Sequence, residues 1–110
     1  MEPEKKYILL AEDEEHIAKL VEFKLNKEGF EVVIAKNGQE AIQKLNDKPW
    51  GLIILDIMMP VCDGWEVLKK IRSLEKFIKL PVLMLTAKGG QKDMTNASEL
   101  GATQYLKKPF

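Results

Sequence analysis

Cysteine and histidine are almost missing from this sequence, each type represented once, by Cys62 and His16. A lone cysteine excludes an internal disulfide, and it cannot combine with a single histidine into a zinc site of the usual sulfur and nitrogen donors. Any metal must therefore be held by oxygen. Net charge is missing as well, because 17 basic side chains balance 17 acidic ones. The overall charge therefore points neither to nucleic acid nor to an anionic membrane. No apolar stretch approaches the roughly 18 residues of a membrane span. The opening Met-Glu-Pro-Glu-Lys-Lys lacks the apolar segment of a signal peptide. A cytoplasmic protein without membrane contact is expected. Repeats, linkers and low-complexity segments are also absent, and 110 residues give room for one core and not for two. One domain spanning residues 1–110 is the expectation.

What the sequence does have is a series of short apolar runs rich in Ile, Val and Leu, at Tyr7–Ala11, Val32–Ala35, Leu52–Leu55, Pro81–Leu85 and, more weakly, Thr103–Leu106. Between them lie stretches with helical spacing: Ile17, Leu20, Val21 and Leu25; Ala41, Ile42 and Leu45; Trp65, Leu68 and Ile71; Met94, Ala97 and Leu100. The strand candidates are continuously apolar, which is expected of a parallel sheet covered by helices on both faces. The pattern predicts a doubly wound α/β domain of five strands and four helices. Gly29 after the first helix, Asn37-Gly38 before the second, Asp47-Lys48-Pro49 after it and Gly101 after the fourth supply matching punctuation.

In an open parallel sheet the functional crevice lies beyond the carboxyl ends of the strands. The first strand is followed by Glu12-Asp13, the third by Asp56, the fourth by Thr86 and the fifth by Lys107-Lys108-Pro109, whereas the second ends blandly in Lys36-Asn37. Each has an ordinary reading. Asp13 can cap the first helix, with Glu14 and Glu15 in its first turn favoured by the helix dipole. Thr86 can be a turn residue and Lys108 a solvated surface charge. Asp56 fits such a reading least well, because a carboxylate directly after Leu52-Ile53-Ile54-Leu55 sits near the sheet, where desolvation is costly without a cation or hydrogen bonds. Taken together, carboxylates gathered at adjacent strand ends suit a hard divalent ion. Magnesium fits best, since it takes one or two carboxylates, keeps several waters and leaves room for a phosphoryl group. A lysine and a threonine across the crevice would neutralise phosphoryl oxygens while one carboxylate acts as nucleophile. The chemistry implied is phosphoryl transfer onto an aspartate.

The ordered motifs "LLAEDEEHI", "LIILDIMMPVCDGWEVL", "PVLMLTAKGG" and "GATQYLKKPF" closely resemble the receiver domain of bacterial two-component response regulators, over nearly the whole chain. The resemblance implies a CheY-like, flavodoxin-like sheet with strand order 2-1-3-4-5. It also implies a signalling switch, not a turnover enzyme, although one that catalyses its own phosphorylation and dephosphorylation. It makes Asp56 the phosphoacceptor and Glu12 and Asp13 the acid pair holding Mg2+, with Asp56 itself and the Met58 main-chain carbonyl as further ligands. Lys108 would pair with the phosphoryl group. Thr86 would hydrogen-bond it, and Tyr105 would swing inward with Thr86 as the switch. Met58 and Lys88 lie where the family tunes the lifetime of the phosphoaspartate, and Gly89-Gly90 frees the adjoining loop.

The implied partners are a sensor histidine kinase as phosphodonor and an output domain or effector protein, with no direct nucleic-acid binding by this domain. His16 is expected on a helix surface and Cys62 in the loop after the acceptor strand. Glu12 stands where many members have Asp, so its longer side chain would reach the ion through water. The family continues past Lys-Pro-Phe into a fifth helix, so the domain is expected to be C-terminally incomplete and either to self-associate through the sheet face that helix covers or to be markedly less stable than the same domain extended by that helix. Two other classes stand beside the switch. An aspartyl phosphatase of another group would want a second acid two residues after Asp56, where Met58 stands, and a receiver-like module without phosphorylation would lack one of the acid pair, Asp56 or Lys108.

Overall fold

The computed structural model describes the backbone of residues 6–57, 59, 63–86 and 104–107, and the side chains of these except 6, 86 and 104–107. The elements run β1 (Lys6–Ala11), α1 (Glu15–Lys27), β2 (Phe30–Ala35), α2 (Gly38–Gln43), β3 (Trp50–Asp56), α3 (Gly64–Ser73), a 3-10 turn (Glu75–Phe77), β4 (Val82–Thr86) and β5 (Gln104–Lys107). All four strand pairs are parallel, and the order is β2-β1-β3-β4-β5, as the resemblance implies. The expected fourth helix around Met94, Ala97 and Leu100 lies outside the described residues, as do Met58, Cys62, Lys88, Gly89-Gly90, Gly101 and Lys108.

The unbroken apolar runs are explained by two cores, one on each face. Successive strand residues point to opposite sides of the sheet, so Leu9, Ala11, Ile53, Leu55, Val82 and Met84 pack toward α2 and α3. Their neighbours Ile8, Leu10, Val32, Ile54 and Leu85 pack toward α1. The first core is completed by Ala41 and Leu45 at α2 and by Val67, Leu68 and Ile71 on α3. On the second, α1 contributes Ala18 and Val21, with Ile17 and Leu25 partly buried. Leu20, expected to belong to that apolar stripe, is instead 47% exposed, and Phe23 is 60% exposed. The helix meets the sheet through the narrower line of Ile17, Ala18, Val21 and Leu25, which leaves Leu20 on its flank.

Local signals start and stop these elements. Asn37 caps α2, its side chain accepting from the Glu40 N–H at 2.8 Å, and Asp63 caps α3 by accepting from the Glu66 N–H at 3.0 Å. After α1, Gly29 adopts φ +96°, a left-handed conformation that costs a residue with a Cβ but not glycine. Helix α2 ends in turns whose Lys44 and Leu45 carbonyls accept from the Trp50 indole N–H at 3.1 and 3.0 Å. That bond holds Trp50 buried at the start of β3, two residues earlier than the apolar run alone indicated; the register shift against β1 between Tyr7 and Ile8 absorbs the extra Gly51. Beyond α3 the Arg72 guanidinium donates to the Phe77 and Leu80 carbonyls at 2.8 and 2.7 Å, fastening the turn that leads into β4. Partial burial of that guanidinium lowers its pKa from the ordinary value by desolvation.

Candidate functional site

Glu12 is the first residue beyond β1 and Asp56 the last of β3. Both are buried, at 1% and 4% exposure, and they are the buried charged residues among those described. Their nearness follows from register. Ala11 pairs with Leu55, so the residues that follow, Glu12 and Asp56, emerge side by side at the carboxyl edge of the sheet. The Glu12 N–H donates to the Ala35 carbonyl at 3.0 Å, carrying the β1–β2 ladder one residue further. Asp13, next along the chain, is exposed. One carboxylate oxygen from each of Glu12, Asp13 and Asp56 lies within 4.8 Å of the others.

The ordinary reading of Asp13 as a helix cap is corrected here. The residue in the capping position of α1 is Glu14, and its side chain makes no cap bond. Glu12 Oε2 instead accepts from the Glu14 N–H at 3.1 Å, so the buried glutamate serves the helix start and Asp13 points its charge elsewhere. Glu15 lies in the first turn, and Lys24 and Lys27 lie in the last, where the helix dipole favours each sign. The run of four acids therefore divides: Glu14 and Glu15 begin the helix, and Glu12 and Asp13 join the carboxylate cluster.

Two residues that shape the site escaped the sequence reading, Asp63 and Gly64. The Gly64 N–H donates to the Ile57 carbonyl at 2.9 Å, which draws the start of α3 against the end of β3. A Cβ on Gly64 would run into the Asp56 carbonyl and lie 2.9 Å from Ile57 Cα. Only a residue without a side chain lets the helix approach the backbone that carries Asp56. The sequence signal for them is an aspartate followed by glycine ahead of the stripe Trp65, Leu68 and Ile71, a capping pattern.

The structure also places the backbones of two other expected site residues. Asp56 pairs with Leu85, so Thr86 is one residue further along the neighbouring strand, at the same edge as the acids. Thr86 in turn pairs with Lys107, and Tyr105 pairs with Met84. The side chains of Thr86 and Tyr105, and all of Met58 and Lys108, lie outside the described residues.

The donor set is all oxygen, from three carboxylates of which two are buried. Hard cations with oxygen ligands suit such a set, and mutual repulsion among the carboxylates favours a cation between them. The cluster can hold a metal ion. Among the described residues no helix is long and apolar enough to cross a membrane.

Comparison with known proteins agrees with this geometry. The family model for the response regulator receiver domain matches residues 8–110. The chain is 44% identical over 103 residues to the probable transcriptional regulator ycf29 of Porphyra purpurea, covering 94% of this chain and 49% of that protein. It is 42% identical over 105 residues to the alkaline phosphatase synthesis transcriptional regulatory protein PhoP of Bacillus subtilis (strain 168), covering 96% and 43%. The chain thus spans less than half the length of these curated relatives. Among solved structures, the Vibrio cholerae chemotaxis protein CheY4 superposes with a TM-score of 0.92 at 33% identity, covering 97% of this chain and 89% of that one. The non-phosphorylated HemR receiver domain from Leptospira biflexa superposes with a TM-score of 0.88 at 33% identity, covering 96% and 84%.

Proposed function

This chain belongs to the response regulator receiver domain family, and from that premise we propose that it is a phosphoacceptor switch in which Asp56 receives a phosphoryl group. The observation that carries the proposal is the convergence of Glu12, Asp13 and Asp56 at the carboxyl edge of a parallel sheet. Asp56 is the nucleophile. Its carboxylate oxygen attacks the phosphorus of a phosphohistidine on a partner kinase, the P–N bond breaks as the P–O bond forms, and the imidazole leaves with the electron pair.

Glu12, Asp13 and Asp56, with the Met58 carbonyl, would hold Mg2+, which supplies positive charge for the phosphoryl oxygens. The chain's own residues do the rest. Burial of Glu12 and Asp56 fixes one member of the acid pair and the nucleophile to the sheet, so neither carboxylate has to be ordered when the donor arrives. Lys108 pairs with the phosphoryl oxygens and Thr86 donates its hydroxyl to them. Tyr105 moves inward as Thr86 shifts, and that coupled movement is the signal read by an output domain or effector. Water attack at the phosphoaspartate, within the same domain, resets the switch. The domain acts in the cytoplasm and makes no direct contact with nucleic acid.

The test is intact-protein mass spectrometry after incubation with a small phosphodonor and magnesium. One phosphoryl adduct is expected on the wild-type chain and none on Asp56→Asn. An adduct that survives Asp56→Asn, or none on the wild type, counts against the proposal.

A further inference from the structure

A cavity of about 300 Å3 lies against the acid pair, lined by Glu12, Asp13, Glu15, Lys19 and Lys36 but not by Asp56. Glu12 and Asp13 therefore face two environments. Asp56 and the space between the carboxylates lie to one side of the pair, and a pocket bearing two lysines lies to the other. Lys36 reaches this position because the Glu12 N–H bonds to the Ala35 carbonyl, which makes Lys36 the first residue of β2's exit beside Glu12. Lys19 is drawn off in part by Glu22, its Nζ 3.7 Å from a carboxylate oxygen. Among the described residues Lys36 forms no salt bridge.

We infer that Lys36 is a positioning residue for the cation site: its ammonium acts through Glu12 and Asp13, offsetting their repulsion when the site is empty and lowering their affinity for a divalent ion. The residue that ended the second strand blandly in the sequence thus sets how much magnesium the switch requires. This inference rests on the carboxylate cluster being the divalent-cation site.

The electrostatic argument fixes sign and size. The ammonium attracts the acid pair in the cation-free form and repels the arriving double charge, so removing it must tighten binding. Lys36 is exposed, and the dielectric between it and the ion is close to that of water, which limits the effect to about two- to fivefold at low ionic strength. Salt should erase it, because the Debye length falls from about 10 Å at 0.1 M to about 3 Å at 1 M.

Isothermal titration with Mg2+ of the wild type, Lys36→Arg, Lys36→Met and Lys36→Glu tests this. Expected is wild-type affinity in Lys36→Arg, about two- to fivefold tighter binding in Lys36→Met, a further tightening in Lys36→Glu, and convergence of all four at 1 M salt. Methionine keeps the apolar length of the lysine stem, so a packing role alone would not produce an ordering by charge. Magnesium binding that is equal in Lys36→Met and wild type, or differences that persist at 1 M salt, overturns the role of Lys36 and leaves the site standing. If the wild type binds no magnesium, the cation site itself is wrong and the inference falls with it.

Discussion

Replacing Asp56 by asparagine should make the metal-free domain more stable, although it changes a buried polar side chain. The three carboxylate oxygens lie within 4.8 Å of one another. At that separation two like charges repel by about 1 kcal/mol in a water-like dielectric, and by about 3.5 kcal/mol at an effective dielectric constant near 20. The pair formed with Glu12 belongs toward the upper figure, because Glu12 and Asp56 are 1% and 4% exposed. The pair formed with exposed Asp13 belongs at the lower. Asparagine, nearly the same shape, removes both repulsions but puts an amide NH2, a donor, where the carboxylate offered a second acceptor, a mismatch that costs about 1–3 kcal/mol.

The balance is a stabilisation of about 1.5–3.5 kcal/mol for Asp56→Asn, and less for Asp13→Asn, measured in chelator. For a chain of this size each kcal/mol moves the thermal midpoint by about 4 °C. With magnesium present the difference should shrink. The wild type gains about 2.7 kcal/mol when the ion is at a hundredfold excess over its dissociation constant, while the variants, with one carboxylate fewer, gain less. Denaturant melts of both variants with chelator and with magnesium would decide it. An Asp56→Asn protein clearly less stable than wild type in chelator would refute a shared acidic site.

Gly64→Ala should destabilise the domain by about 1–3 kcal/mol and slow phosphoryl uptake, because the new methyl group would press on the backbone of Asp56 and Ile57; melts alongside a phosphorylation time course would check both effects. Thr86→Ala should leave magnesium affinity unchanged but weaken the response of Tyr105 to a phosphoryl mimic such as beryllofluoride, and an unaltered tyrosine fluorescence response would remove Thr86 from the switch. The α1 side of the sheet leaves Leu52 and Leu83 only partly buried, so self-association is expected there. Light scattering coupled to size exclusion, showing a monomer at all concentrations, would argue against it.

Much of this protein was determined by sequence alone, because the relevant physics is local. Side chains alternate along a strand and recur with the helical period along a helix, so the apolar runs and stripes reported the elements and the doubly wound class before any contact was known. Asn37 and Gly29 marked element boundaries by their own backbone chemistry. Asp56 was marked by the cost of ending an apolar strand in a carboxylate. The boundaries and the packing face were less legible. Trp50 joins β3 only because the end of α2 offers carbonyls to its indole, and Leu20 leaves the core because a helix lying on a twisted sheet buries a narrower stripe than its apolar residues describe. Tertiary structure supplied the pairings and approaches that bring particular groups together. Glu12 and Asp56 become neighbours through the pairing of Ala11 with Leu55, Gly64 becomes irreplaceable through the approach of α3 to Asp56, and Lys36 comes beside Glu12 and Asp13 through the end of the β1–β2 ladder. Electrostatic interaction depends on distance in space, and residues far apart in sequence acquire that distance only when the sheet register is set.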